Sequence, residues 1–169
     1  MSTFSGTLEV VTTTRWLTPK EDRAWRGYRR MRALLDLQIN RDLAHDAGLS
    51  EPDYDVLSNV SESPGRSMRM NELAARMLWT RTRVSHHVRR MERRGLVTRA
   101  ACEDDARGAM VVLTEQGWRA IEAAAPDHVR SVRENLIDLL TPEQVDVLGD
   151  VAELVIDRLS VVDAAPAPT

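Results

Sequence analysis

From Trp25 onward, Tyr28, Met31, Leu35, Ile39 and Leu43 recur at three- and four-residue steps, which draws one apolar stripe along a long first helix. Thr18 as cap, Pro19 at the first helical position and acids Glu21 and Asp22 mark its start. Gly48 marks its end. Ser50-Glu51-Pro52-Asp53 repeats the cap-and-proline signal for a second helix through Val56, Leu57 and Val60, closed by Ser63-Pro64-Gly65. Residues 66–70 are too few for a helix and predict a small edge strand. Asn71 is expected to cap a short helix bearing Leu73, Ala74 and Met77, and Thr80 a further one bearing Val84, Val88 and Met91, stopped at Gly95. Leu96–Arg99 and Ala109–Leu113 predict two strands around a polar hairpin tip, Cys102–Gly108, with Gly108 supplying the turn. Thr114-Glu115 opens a fifth helix expected to reach Leu140 with a bend at Pro126, and Thr141-Pro142 opens a sixth. The expected class is mainly α with a small β component: helix, helix, strand, helix, helix, two strands, helix, helix.

Two short helices, 71–78 and 80–94, joined by a tight connection and followed by a β-hairpin, form a winged helix-turn-helix pattern. On a helical wheel with Val84 at zero, Val88 and Met91 fall within about 40° of it, while Thr82, His86, Arg89 and Arg93 fall within about 40° of the opposite side. Ser85 and Arg90 flank that outer stripe. Arginine, imidazole and hydroxyl groups on one face suit guanine N7 and O6, and the Thr82 methyl suits thymine. Arg81 lies in the first turn, where free N–H groups and the helix dipole favour a phosphate. At the wing, Asp105 stands two residues before Arg107, which it can hold extended toward a narrow minor groove.

Charge sharpens this picture. The whole chain of 169 residues carries a net −3, yet residues 66–107 hold eleven arginines against five carboxylates, a local +6 that leaves −9 elsewhere. A basic module inside an acidic scaffold is the footprint of duplex-nucleic-acid binding. Lys20 is the single lysine among 23 basic residues, and arginine's planar fork suits paired contacts to phosphates and guanines. Aromatic residues at 4% argue against a base-stacking single-strand binder.

The runs Leu78-Trp79-Thr80-Arg81-Thr82-Arg83-Val84-Ser85 and Val88-Arg89-Arg90-Met91-Glu92-Arg93-Arg94-Gly95-Leu96-Val97 strongly resemble the recognition helix and following strand of the MarR family. Asp105-Ala106-Arg107-Gly108 and Val112-Leu113-Thr114-Glu115-Gln116-Gly117 resemble that family's wing and fifth helix, and the match runs from about Thr18 to Leu159. The resemblance implies a cytoplasmic homodimer on a pseudo-palindromic operator, a repressor relieved by a small aromatic or anionic ligand. Its organisation would be a flexible arm at 1–17, a helical dimerisation region at 18–48 and 115–160, a winged lobe at 50–114 and a disordered tail at 161–169. Dimer surfaces would come from the apolar stripes of the first, fifth and last helices, the last bearing Val145, Leu148, Val151, Ala152, Val155 and Leu159. An effector cleft between dimer helices and lobe would draw on Trp25, Tyr28, Arg29, Arg32, Asp53 and Tyr54. His86-His87 departs from the arginine or small apolar residue of many relatives, so the operator sequence does not transfer.

Other classes fit less well. The lone Cys102 excludes an internal disulfide framework and suits a reducing compartment. A redox-responsive regulator would need its thiolate, which the neighbouring Glu103, Asp104 and Asp105 disfavour. His45, His86, His87 and His128 are too scattered for a metal site, so no metal or cofactor is expected. No phosphate loop, nucleophile elbow or strand–helix alternation points to an enzyme. No apolar run reaches the ~18–20 residues of a membrane span, and the first residues lack the pattern of a signal peptide. A winged-helix adaptor that does not bind DNA is the remaining alternative.

Overall fold

The computed structural model describes residues 14–102 and 105–163, with side chains of 105–107 and 161–163 excepted. The expectations for an arm over 1–13 and a tail over 164–169 lie outside the described residues. Among the described residues six α-helices, α1 (Pro19–Asp46), α2 (Glu51–Ser61), α3 (Met70–Arg76), α4 (Arg81–Arg93), α5 (Glu115–Asn135) and α6 (Pro142–Asp163), accompany three strands, β1 (Ser67–Arg69), β2 (Val97–Cys102) and β3 (Asp105–Leu113). The chain forms two compact units divided after Leu34.

In the first unit, Thr18 and Glu21 close a reciprocal capping box, with Thr18 N–H donating to Glu21 Oε2 and Glu21 N–H to Thr18 Oγ1. Trp25 and Tyr28 stack at 6.0 Å, Arg29 lies 5.9 Å above Trp25, and Arg32 lies 6.0 Å above Tyr28. Trp16, Leu17, Trp25, Tyr28, Met31 and Leu34 are all exposed.

The second unit holds the core. Val56, Leu57, Val60, Met68, Leu73, Val84, Val88, Met91, Val97 and Val111 are sealed between α2, α3, α4 and the sheet. β3 is central in an antiparallel sheet of order β1-β3-β2, with Met68 opposite Val111 and Thr98 opposite Val112. Ser50 and Asp53 cap α2 reciprocally, as Ser50-Glu51-Pro52-Asp53 implies. Thr141 and Gln144 do the same for α6. One joint locks α5 to the end of α4. Thr114 Oγ1 donates toward Gly95 O (2.6 Å) and Leu96 O (3.0 Å) and accepts from Gly117 N–H, while Gln116 Nε2 donates to Arg94 O. A Cβ on Gly117 would stand 1.9 Å from Leu96 O, so glycine there permits the close approach.

Four expectations need correction. α3 starts at Met70 with Arg69 as an uncapped N-cap, so Asn71 is a first-turn residue and not the cap. The hairpin strands are longer than the apolar pattern shows, and Asp105, Arg107 and Gly108 belong to β3 and not to a turn. α5 ends at Asn135, after which a 3-10 turn, Ile137–Leu139, replaces the last predicted turn. α6 runs to Asp163, three residues into the stretch read as tail. α5 continues through Pro126 as one helix.

Candidate nucleic-acid interface

α4 is built as an amphipathic rod. Thr80 Oγ1 accepts from Arg83 N–H and caps it, and Val84, His87, Val88 and Met91 are buried on one side. Arg81, Thr82, His86, Arg89, Arg90 and Arg93 are exposed, and Ser85 is half-buried at the margin. The α4 carboxylate, Glu92, is turned aside to Arg99 on β2 at 2.9 Å. Among the described residues no acid pairs with Arg81, Arg89 or Arg93, so the outer stripe keeps its positive potential.

Two hollows flank that stripe. One, of about 510 Å³, is lined by Trp79, Arg83, His86, Arg89, Arg90 and Arg93. Arg83 stacks 3.8 Å from the Trp79 ring centre, which fixes its guanidinium beside the hollow. The other, of about 200 Å³, brings Arg81 and Ser85 of α4 beside Arg69, Asn71, Gly108 and Ala109. Arg69 and Asn71 were not candidates in the sequence because they precede the recognisable helix; the sheet pairing of β1 with β3 places them there. The side chains of Asp105 and Arg107 lie outside the described residues.

Behind the stripe lies a polar network that the sequence did not reveal. Asp53, on the first turn of α2, meets Arg94 Nη1 at 2.6 Å and His87 Nε2 at 3.1 Å. Burial alone would raise the Asp53 carboxyl pKa, but the His87 ring nitrogen close beside it and hydrogen bonds from the Ser50 backbone, Arg94 and the Ser50 hydroxyl together hold it well below the usual carboxylate range. Arg94 also donates to Gly48 O at 2.9 Å. The wheel put His87 about 60° from Val84, on the inward side, and that was the available signal.

The proposed effector residues fall into separate arrangements. Trp25, Tyr28, Arg29 and Arg32 form one exposed ladder on α1. Asp53 is held in the network just described and lines a cavity together with Leu37, Asn40, Arg90 and Arg94. Tyr54 is half-buried, its ring 4.1 Å from that of His128. Burial lowers the His128 pKa, against a smaller opposing pull from Asp55. Cys102 is buried at the end of β2. No group of three His, Cys, Asp or Glu side chains among the described residues is placed to hold a metal ion. No helix among them is long and apolar enough to cross a membrane.

A family model described as MarR family matches residues 47–108. The chain is 43% identical to AbsC, a MarR family transcriptional regulator from Streptomyces coelicolor, with a TM-score of 0.84 over 87% of this chain and 99% of that one. The chain belongs to the MarR family. Sco3205, a MarR family transcriptional regulator from the same organism solved in complex with DNA, is 40% identical, with a TM-score of 0.84 over 88% of this chain and 92% of that one. Sco5413, a third MarR family regulator from Streptomyces coelicolor, shares the fold at 19% identity and TM-score 0.70, over 88% of this chain and all of that one. No curated protein matches. The MarR model begins just after α1 and runs through β2 into β3, so it covers α4, and the AbsC match extends likeness across most of the chain.

Proposed function

We propose that this MarR regulator works in the cytoplasm as a homodimer that grips a pseudo-palindromic duplex operator, represses from it, and is released by a small anionic or aromatic effector. The observation that carries the reading is the acid-free stripe of Arg81, Thr82, His86, Arg89 and Arg93 on a helix whose opposite face is welded into the core. A rigid helix with one cationic face and a neighbouring wing suits insertion into a major groove, with β2–β3 beside the adjoining minor groove. Ser85, Arg90, Asp105 and Arg107 complete the assigned contacts, and Arg69 and Asn71 join Arg81 on the phosphate side. Sco3205 crystallised with DNA, which supports the same use of the shared fold. Apolar side chains left exposed on α6 and on the start of α1 supply the dimer surface. The reading assigns no catalysis, and the burial of Cys102 weighs against a redox trigger. A cavity of about 980 Å³ in the second unit, lined in part by Leu37, Asn40, Asp53, Arg90 and Arg94, is the place the reading gives to an effector.

Fluorescence anisotropy tests this reading, with the chain's own upstream promoter against a scrambled duplex across a salt series. Selective binding with a steep salt dependence is expected, and Arg89→Ala should flatten the log–log slope by about one unit if it meets a phosphate, or cost about 1–3 kcal/mol of preference if it meets a base. Equal, weak binding to both duplexes would favour the adaptor.

A further inference from the structure

His87 sits on the buried side of the recognition helix, 4% exposed, an unusual place for an imidazole among Val84, Val88 and Met91. Its Nδ1 lies 2.7 Å from an Arg90 guanidinium nitrogen. Since arginine only donates, Nδ1 must accept, which leaves the proton on Nε2. Nε2 faces Asp53 Oδ1 at 3.1 Å, off the direction of a well-aligned hydrogen bond. The Trp79 ring closes the site edge-on at 5.4 Å. A chain of polar groups therefore runs from the first turn of α2, through the interior, to an arginine at the rim of the acid-free stripe.

We propose that His87 is a positioning residue for Arg90: a neutral imidazole, backed by Asp53, holds the guanidinium at the α2-side edge of the DNA-facing stripe. The inference rests on the DNA-binding reading given above. An arginine held by an internal acceptor meets a phosphate with less side-chain entropy to lose than a freely rotating one.

The readout is the loss of operator affinity caused by Arg90→Ala, measured by anisotropy in three backgrounds. Arg90 is exposed, so its removal leaves the fold intact. In the wild-type background the loss is expected to be about tenfold. In His87→Asn, whose amide oxygen reaches the Nδ1 position, it should stay near tenfold. In His87→Gln, whose amide reaches the Nε2 position instead, it should fall to about twofold. An undiminished loss in His87→Gln, or a loss in His87→Asn no greater than in His87→Gln, overturns the proposal. Nitrogen NMR of the His87 ring supplies a reading without DNA: Arg90→Ala should shift the Nδ1 resonance while the protein stays folded, and an unmoved resonance also overturns it. If no duplex is bound selectively while the resonance does shift, the DNA reading fails, and with it the assigned purpose, but the contact itself stands.

Discussion

Along α4 every apolar side chain that periodicity turns inward, Val84, Val88 and Met91, is completely buried, whereas along α6 Val151, Val155 and Leu159 remain 53%, 50% and 61% exposed. Both helices show an apolar stripe in the sequence. Only one finds its cover among the described residues. Full burial of an aliphatic side chain is worth about 1.5–3 kcal/mol, so the α6 face, with Val147 and Leu154 beside it, holds a large unspent driving force for association. The difference teaches that the winged lobe closes its core with its own residues, while the apolar face of α6 stays open among the described residues. The same division separates the two activities in the proposed function: the lobe reads DNA, and the exposed helices set the spacing between two lobes.

The largest effect is expected from breaking the satisfied side. Met91→Ala removes a fully buried side chain between α4 and the sheet and should cost about 2–5 kcal/mol, read as a lowered denaturant midpoint. A cost below about 1 kcal/mol would mean that the core is looser than its burial implies. Next comes the unsatisfied side. The double change Val151→Glu and Val155→Glu places charges on the open α6 face, and light scattering should show a monomer. Operator affinity should fall by about a hundredfold or more as two half-sites lose their linkage, while the monomer keeps its helical content. A dimer that survives both charges would place the interface elsewhere.

How much of this was legible follows the same line. The order of elements, the caps at Thr18, Ser50, Thr80, Thr114 and Thr141, and the outward stripe of α4 could all be read, because each depends on local chemistry or on a single helix. The polar network was not readable, since Asp53 and Arg94 meet across 41 residues and only the packing of α2 on α4 brings them together. Nothing in the sequence therefore signalled that Asp53 is paired with Arg94. The wing was read too short because Ala100, Ala101 and Ala106 carry little strand signal, although cross-strand pairing with β3 extends β2 to Cys102. α5 was read too long because its apolar pattern continues past the backbone break at Leu136 (φ −140°, ψ −65°).

The Asp53 network gives the comparison a pH dimension, because it belongs to the lobe alone. The Asp53 carboxyl has a folded-state pKa below its unfolded value of about 3.9, so its contribution to stability is present above that value and is lost as pH falls through and below it. His128 carries a lowered pKa too, but as a base, so acid favours its protonation in the unfolded chain and stability begins to fall below about pH 6.5. Thermal melts from about pH 7 downward should therefore show two successive losses. Asp53→Asn should lower stability at neutral pH by about 1–3 kcal/mol and flatten the lower loss, leaving the upper one. If the lower loss persists unchanged, other carboxylates govern it.

The smallest effect tests the joint between the two helices of the reading head. α3 and α4 end with the same motif: Leu78 N–H donates to Ala75 O and Trp79 N–H to Ala74 O, just as Gly95 N–H donates to Glu92 O and Leu96 N–H to Met91 O. At the second site the left-handed position holds glycine with φ +74°, the expected residue. At the first it holds Leu78 with φ +52°, a conformation that costs a residue with a Cβ roughly 1 kcal/mol. Leu78 is 89% exposed, so its side chain repays little of that cost by burial. Leu78→Gly should therefore shift stability by no more than about 1 kcal/mol, upward where relief of strain exceeds the added freedom of the unfolded chain. Operator affinity decides what the leucine is for. Unchanged binding with raised stability would make it an accident of the turn, whereas a loss of binding in a protein of equal or greater stability would assign the exposed side chain a contact with the sugar edges beside the groove.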